Sequence, residues 1–461
     1  MQQKSSSTKG ATIVRVVTLI LAAVAILYAI SDHPFYGGEP GFGGTQKLIL
    51  AFGVILALCV FLPSEWNAKI LTLCISGLFT LAITEVAAYK LLAHKFRAPY
   101  QQSDNLIFEL KPGARSEFHL LPVNGGGSVL QEINADGFRG KALTPKSDKL
   151  RIVVYGDSFI HASYSPEEET FTAQLGSVLE QKTGTAVETI NAGVSSYGPD
   201  QILLKMEQEL PQLKPDLVVV SIFAGNDYGD LLRNKLFKLD ESGNLQPNTY
   251  KLSEKLQNGF YLAHRESVLK QAIRKLIPAE NSPLADIEKN TQSLMDFSLS
   301  EAKKEYEDFV INGSNMVTNA QNDYYSADVS LEPESESARY RVRFMEAVLT
   351  RITKLAKENQ VPLAFLFIPN PLNVADNYAD GNIDSAKYPQ YEKRNLIRPL
   401  EEAARRIDVP YLSLFDTFSQ VDANELYFSG GDDHWNNKGQ LLAAETMADY
   451  LLSNGLIRTK H

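Results

Sequence analysis

The run Ile152-Val153-Val154-Tyr155 is apolar without a break and stops abruptly at Gly156-Asp157-Ser158. Unbroken apolar, β-branched runs belong to parallel strands covered on both faces, whereas a strand with one wet face alternates. Gly156 permits a sharp exit, and Asp157-Ser158-Phe159 can open the next helix, so the Ser158 hydroxyl is displayed at the carboxyl end of a strand. Open α/β sheets gather their functional groups at that edge. The other reading of the same residues is an ordinary βα turn in which Ser158 only caps a helix.

The pattern continues through the rest of the chain. Phe171, Leu175, Val178 and Leu179 make one helical face, Val187 to Ile190 the next strand, Ile202 to Leu213 another helix, and Asp216 to Phe223 a second fully apolar strand. A helix bearing Val342, Met345, Leu349 and Ile352 leads to the strand Leu363 to Ile368. A helix around Leu396 to Ile407, the short strand Tyr411 to Phe415 and a closing helix with Leu441, Leu442 and Met447 follow, with Asn437 and Gln440 as its capping pair. Strands and helices in alternation predict βαβ units and a parallel sheet. The alternation is interrupted at about 228–337 by a polar, helix-leaning insertion containing Tyr250, Phe260-Tyr261 and Tyr324-Tyr325. An insertion after a strand's carboxyl end is placed to act as a lid or acceptor-binding element, or else is peripheral decoration.

Ahead of this domain lie three apolar runs, Thr12 to Ile30, Leu48 to Leu62 and Ile70 to Ala88. The first approaches the about 20 residues needed to cross a bilayer, and no small-residue cleavage pattern follows it. Residues 1–92 are therefore read as a region of three transmembrane helices. Charge leaves its orientation open: with the N-terminus inside, Lys4, Lys9, Arg15 and Lys69 are cytoplasmic and Lys47, Lys90, Lys95 and Arg97 are not, which is a tie. Glu85 falls late in the third run, where Tyr89 and Lys90 mark the interface, and is read as an interfacial carboxylate in preference to a functional one. Residues 93–148, rich in turn signals such as Gly125-Gly126-Gly127, form a β-rich collar with no chemistry of its own. The catalytic-type domain then spans 149–461.

A net charge of −10 argues against a nucleic-acid partner, since binding phosphates needs a basic face. The two cysteines, Cys59 and Cys74, both sit in apolar runs and form no metal-binding spacing. No metal or other cofactor is expected.

Polar groups recur at successive strand exits: Gly156-Asp157-Ser158, Asn191-Ala192-Gly193 and Gly225-Asn226-Asp227, with Asp432-Asp433-His434-Trp435-Asn436 before the last helix. In this order they resemble the sequence blocks of the SGNH hydrolases, or GDSL-like esterases. The resemblance covers Lys149 to Leu456 apart from the insertion, and it implies a flavodoxin-like three-layer α/β/α fold. Asn134 to Arg139 (NADGFR) and the membrane region are similar to the membrane-anchored, polysaccharide O-acetyl-modifying branch. By resemblance, Ser158 is the nucleophile, and the Ser158 N–H, the Gly193 N–H and the Asn226 amide form the oxyanion hole. A serine hydroxyl needs a base, and His434 is the obvious one. An uncharged amide can donate to a developing oxyanion where a carboxylate would repel it.

Two departures from the family pattern stand out. Ala224 occupies the glycine position of the third block, and Gly431 stands where the common Asp-x-x-His acid would be. The acid is then Asp432 or Asp433, and Asp432 is favoured because successive side chains of an extended loop face opposite ways. His161 and Trp435 are read as packing residues in preference to a second site histidine and a sugar-stacking platform.

The expectation is a membrane-anchored serine esterase or O-acyltransferase acting on carbohydrate or lipid-linked acyl (acetyl) esters. Its multi-pass membrane region would place the catalytic domain in the periplasm or outside the cell, and transfer would require a membrane acyltransferase partner. The alternative is a non-catalytic glycan-binding or scaffold subunit of a polysaccharide assembly.

Overall fold

The computed structural model of the chain describes residues 2–31, 43–146, 148–257, 259, 267–275, 291–320, 324–375, 383–429 and 432–457. It divides into two compact units, one of Met1–Ala93 with Tyr261–Ile277, the other of His94–Phe260 with Pro278–His461.

The first unit holds α1 (Gln2–Ile30), α2 (Gly44–Cys59) and α3 (Ser64–Leu92). Stretches of two of them, Lys9–Ile30 and Ser64–Lys95, are long and apolar enough to cross a membrane; the third apolar helix is shorter, Gln46–Cys59. Their outward faces are apolar, with Leu19, Leu27, Leu48, Leu73, Phe79 and Leu81 all exposed. What joins them is close approach and a polar bond. A side chain at Gly53 would meet Ile26 Cγ1 at 2.8 Å and the Ala22 carbonyl at 3.2 Å, so glycine lets α1 and α2 touch. The buried Thr18 hydroxyl donates to Asn67 Oδ1 at 2.9 Å, tying α1 to α3. Cys59 and Cys74 are free thiols.

The second unit is built on a five-stranded parallel sheet of β5 (Leu150–Tyr155), β6 (Val187–Asn191), β7 (Leu217–Phe223), β12 (Leu363–Ile368) and β13 (Tyr411–Ser413). Its order is β13-β12-β7-β5-β6, so the chain steps outward once and then crosses back past its first strand. This is the flavodoxin-like order, with a switch point between β5 and β7. Helix α5 (Phe171–Thr183) packs against the closing helix Asn437–Ser453, and α6 (Pro199–Leu213) against helix Glu336–Glu358; the right-handed rule for parallel crossovers sets the two pairs on opposite faces. Ile152, Val153, Val154 and every residue of β12 but Leu363 are wholly buried, and apart from Ala364 each is worth about 1.5–3 kcal/mol of apolar burial. The apolar runs are continuous because both faces are covered.

The collar is two antiparallel hairpins, β1 (Tyr100–Ser103) with β2 (Ile107–Leu110) and β3 (Arg115–His119) with β4 (Ser128–Glu132). Ile107, Phe108, Ile133 and Phe138 belong to the same core as the sheet, so the collar is part of the domain and not a separate linker.

The insertion begins later than expected. Residues 227–234 are α7 (Asp227–Asn234), a buried helix of the core, and the departure begins beyond it with β8 (Phe237–Leu239), β9 (Leu245–Pro247) and β10 (Lys251–Leu252), which pairs with β11 (Met316–Val317). Helix Thr291–Tyr306 sends Glu305 between two buried arginines, 3.0 Å from Arg233 and 3.0 Å from Arg341. Arg341 also bonds Asp328 at 2.8 Å, so the insertion completes a charge network of the core. Phe260 and Tyr261 lie outside the described residues.

Candidate active site

The strand β5 ends as its sequence requires. A Cβ at Gly156 would lie 2.4 Å from Ile160 Cγ1 and 2.7 Å from Ser221 Oγ, so only glycine lets the chain turn straight into the one-turn helix α4 (Ser158–His161). Asp157 caps that turn, its Oδ1 accepting the Phe159 N–H at 3.0 Å. Ser158 is half-buried, and among the described residues its hydroxyl makes no hydrogen bond.

One turn of helix is not stable alone, and the collar supplies what holds it. The Asn134 side chain organises the loop 134–139 by accepting the Asp136 and Phe138 N–H groups at 2.9 and 3.0 Å. That loop delivers Arg139, whose buried guanidinium donates to the carbonyls of His161, Ala162 and Ser165 at the end of α4. Burial lowers the Arg139 pKa to about 10, against Glu167 and Glu168 which raise it, and the group remains a cation at neutral pH. His161, wholly buried, has Nδ1 3.0 Å from the Gly193 carbonyl and Nε2 2.9 Å from Gln131 Oε1 on β4. Burial and then the charge of Arg139 lower its pKa to about 3, so the ring is neutral and has one N–H. A carbonyl can only accept, so Nδ1 carries the hydrogen, and Gln131 must turn its NH2 toward Nε2. His161 is thus a structural histidine. The collar, read as a linker with no chemistry of its own, has a positioning role: two of its residues, Gln131 and Arg139, hold the serine turn.

The second block comes within reach of the first, as expected. A Cβ at Gly193 would lie 2.5 Å from the His161 nitrogen, so glycine here lets β6 run against α4. The Asn191 amide donates to the Ile160 carbonyl at 2.7 Å, and its oxygen accepts the Gly193 N–H at 3.1 Å. The Gly193 N–H is therefore engaged inside the protein. The following turn closes with Tyr197 N–H on the Val194 carbonyl at 3.1 Å and holds Ser196 at φ +63°.

At the third block Ala224 is buried and continues the sheet, its N–H on the Ile368 carbonyl at 3.0 Å, so alanine fits without left-handed backbone. Asn226 precedes α7 and its side chain makes no hydrogen bond among the described residues; its Oδ1 is buried without a partner. Its carbonyl accepts the Gly229 and Asp230 N–H groups at 2.7 and 3.1 Å.

His434 is reached from the last loop. Its Nδ1 is 2.7 Å from Asp432 Oδ1, which also accepts the His434 backbone N–H at 2.9 Å. Asp433 does not point away: its Oδ1 is 3.5 Å from the same Nδ1. The expected opposition of neighbouring side chains fails because the Asp432 bond to the His434 backbone folds the loop into a tight turn, not an extended strand. The imidazole lies over Phe159, with ring centroids 5.1 Å apart, which sets it beside the residue following Ser158. Trp435 is buried, donates Nε1 to the Phe159 carbonyl at 3.1 Å and stacks on Phe171, in keeping with a packing role. The loop is pinned to the collar by a reciprocal pair: Asn124 donates to the Ser429 carbonyl at 3.0 Å and accepts its N–H at 2.7 Å. Asn436, not Asn437, caps the closing helix, accepting from Lys438 and Gly439, while Gln440 accepts the Phe171 N–H at 2.9 Å. Gly431 lies outside the described residues.

The electrostatics follow from burial and these neighbours. Burial acts to lower the His434 pKa, but the Asp432 hydrogen bond and the charges of Asp433, Asp432 and Asp157 outweigh it and raise the group to about 9. Burial pushes Asp432 up, yet its bonds to His434 hold it below the usual carboxylate range. Burial raises Asp433, and it raises Asp157 to about 7. Asp432, Asp433 and His434 also have donor atoms within 4.8 Å of one another, close enough to share a cation.

No family model matches the chain, and no curated protein does. Solved structures similar to it include a lipase/acylhydrolase from Enterococcus faecalis, at 12% identity over 68% of this chain and 98% of that one with a TM-score of 0.33. An acetylxylan esterase from Geobacillus stearothermophilus, in a catalytic mutant, shows 11% identity over 67% and 97%, TM-score 0.35. A psychrotrophic esterase from Pseudoalteromonas shows 13% over 66% and 97%, TM-score 0.31. With its sequence blocks set in chain order along the carboxyl edge of a parallel sheet of flavodoxin-like order, the chain is an α/β protein of flavodoxin-like sheet topology.

Proposed function

We propose that the protein is a membrane-anchored serine acyl-ester hydrolase or O-acyltransferase. Ser158 attacks the acyl carbonyl, His434 takes its proton, and Asp432 holds the imidazole tautomer and steadies the imidazolium. The observation that carries this reading is the 2.7 Å contact of Asp432 with His434 Nδ1, which leaves Nε2 as the ring nitrogen available to Ser158. The tetrahedral oxyanion is met by the Ser158 N–H, the Asn226 amide and the Gly193 N–H, the last on leaving Asn191. Water resolves the acyl-enzyme in a hydrolase; a carbohydrate hydroxyl does so in a transferase, which needs a membrane acyltransferase to supply acyl groups. The two membrane-length helices α1 and α3 support membrane anchoring; a third pass through α2, a catalytic domain outside the cytoplasm and glycan or lipid-linked esters as substrates are parts of the same proposal.

The test is turnover of an activated acetyl ester by the full chain in detergent, with and without an acceptor glycan. Ser158→Ala is expected to abolish turnover with the thermal midpoint unchanged, because the hydroxyl supports no internal bond. A variant that retains near-native turnover removes Ser158 as nucleophile. Wild-type protein that binds glycan and turns over no ester is the result that favours a scaffold subunit.

A further inference from the structure

Glu85 sits seven residues before the end of α3 at Leu92, about 10 Å along the helix. Its carboxylate is fully engaged by a segment that the sequence places in the insertion. Oε1 accepts the Val268 N–H at 2.7 Å, and Oε2 accepts the Ser267 hydroxyl at 2.7 Å and the Leu269 N–H at 3.1 Å. These are orphan donors at the start of helix Val268–Lys275, so an acid on one helix caps another. Val268 is wholly buried, and helix Val268–Lys275 packs on α3 in the first unit.

The helix sequence is two-sided. Val268, Leu269, Ala272 and Ile273 fall on one arc of a helical wheel; Lys270, Arg274 and Lys275 fall outside it. Three cations in eight residues, in a chain of net charge −10, are a local reversal of sign. Basic, amphipathic helices of this kind lie in the plane of a membrane surface, with the apolar face about 5–10 Å into the headgroup and acyl boundary. The depth of Glu85, near the end of a membrane-length helix, is that boundary.

We infer that Val268–Lys275 is an interfacial helix that binds the surface of an anionic bilayer, docked there through Glu85. The inference rests on reading α1 and α3 as membrane helices, and the experiment separates the two. The full chain, with Cys59 and Cys74 replaced by alanine, is labelled with an environment-sensitive fluorophore at Ile273→Cys or, as reference, at Leu81→Cys. It is reconstituted into vesicles containing shallow nitroxide-labelled lipid. Both labels are expected to be quenched by lipid and shielded from aqueous iodide. Replacing the anionic lipid by zwitterionic lipid is expected to lower quenching at 273 at least about twofold and leave 81 unchanged. Glu85→Ala is expected to do the same, with the label at 81 reporting that α3 still inserts. Quenching at 81 but not at 273 overturns the inference and leaves the membrane reading standing; quenching at neither overturns both. Equal quenching at 273 in the two lipids overturns the anionic preference, and an unchanged signal in Glu85→Ala overturns the docking role.

Discussion

His434 rests as a cation at neutral pH, since two adjacent carboxylates raise its pKa to about 9. A base must first lose that proton, so ester turnover is expected to climb about tenfold per pH unit and level off near pH 9. Asp432→Asn removes the hydrogen bond and one charge. Its rising limb should therefore move to lower pH, while the plateau falls by as much as about 10⁴-fold, as for the equivalent change in a serine protease. Asp433→Asn should move the limb in the same direction with far less loss of plateau. Full pH profiles of kcat for both variants check this, and a severe plateau loss confined to Asp433→Asn would exchange their roles. The same shift acts on stability: a histidine with a raised folded pKa adds stability that is complete below about pH 6.5 and lost as pH rises through about 9. The side chains of His434 and Asp432 are 28% and 26% exposed, so salt should weaken both effects. If Asp432, Asp433 and His434 act as acid and base and not as ligands, a chelator should leave turnover untouched; loss restored by a divalent ion would replace the triad by a metal site.

At the scale of elements, the collar holds both halves of the site, Arg139 and Gln131 at the serine turn and Asn124 at the histidine loop. Asn124→Ala, on an exposed hairpin, should hardly change the thermal midpoint. It should lower kcat by about 10–100-fold through misplacement of the loop, with KM little altered. An unchanged kcat would show that the loop needs no latch. Glu305→Ala leaves Arg233 and Arg341 short of a counter-charge and is expected to cost about 3 kcal/mol, read by denaturant unfolding of the full chain. Much of this level was legible in the sequence where it was periodic. The runs at Ile152, Leu217 and Leu363 gave their strands because burial on both faces leaves an unbroken apolar signature. Asn124 and Gln131 left no such trace, because their partners lie far along the chain and a lone polar residue carries no period, and Arg139 stood out only as the end of the NADGFR motif, with no role attached. The polar run from Tyr228 looked like insertion although it is core helix, because Asp230 is buried against Arg233 and Asn234 against Asp200. Those pairs show only in three dimensions.

For the whole molecule, the charge tie at the helix ends leaves topology to experiment. A reporter active only in the cytoplasm, fused after His461, is expected to stay silent, and strong signal would place the catalytic domain on the inner side. The helix Val268–Lys275 has a consequence for anyone handling this protein in pieces. Because helix Val268–Lys275 packs on α3 in the first unit while the chain before and after it belongs to the second, the polypeptide passes between the units three times. Cutting the chain once, before the collar, would therefore not set the enzyme-like domain free. If α1 and α3 anchor the protein in a membrane as proposed, a clipped protein should stay with the membrane fraction until the inner excursion is severed as well. A truncation starting at His94 would carry helix Val268–Lys275 without its α3 partner, and a well-behaved soluble version should require that helix to be replaced by a short polar bridge.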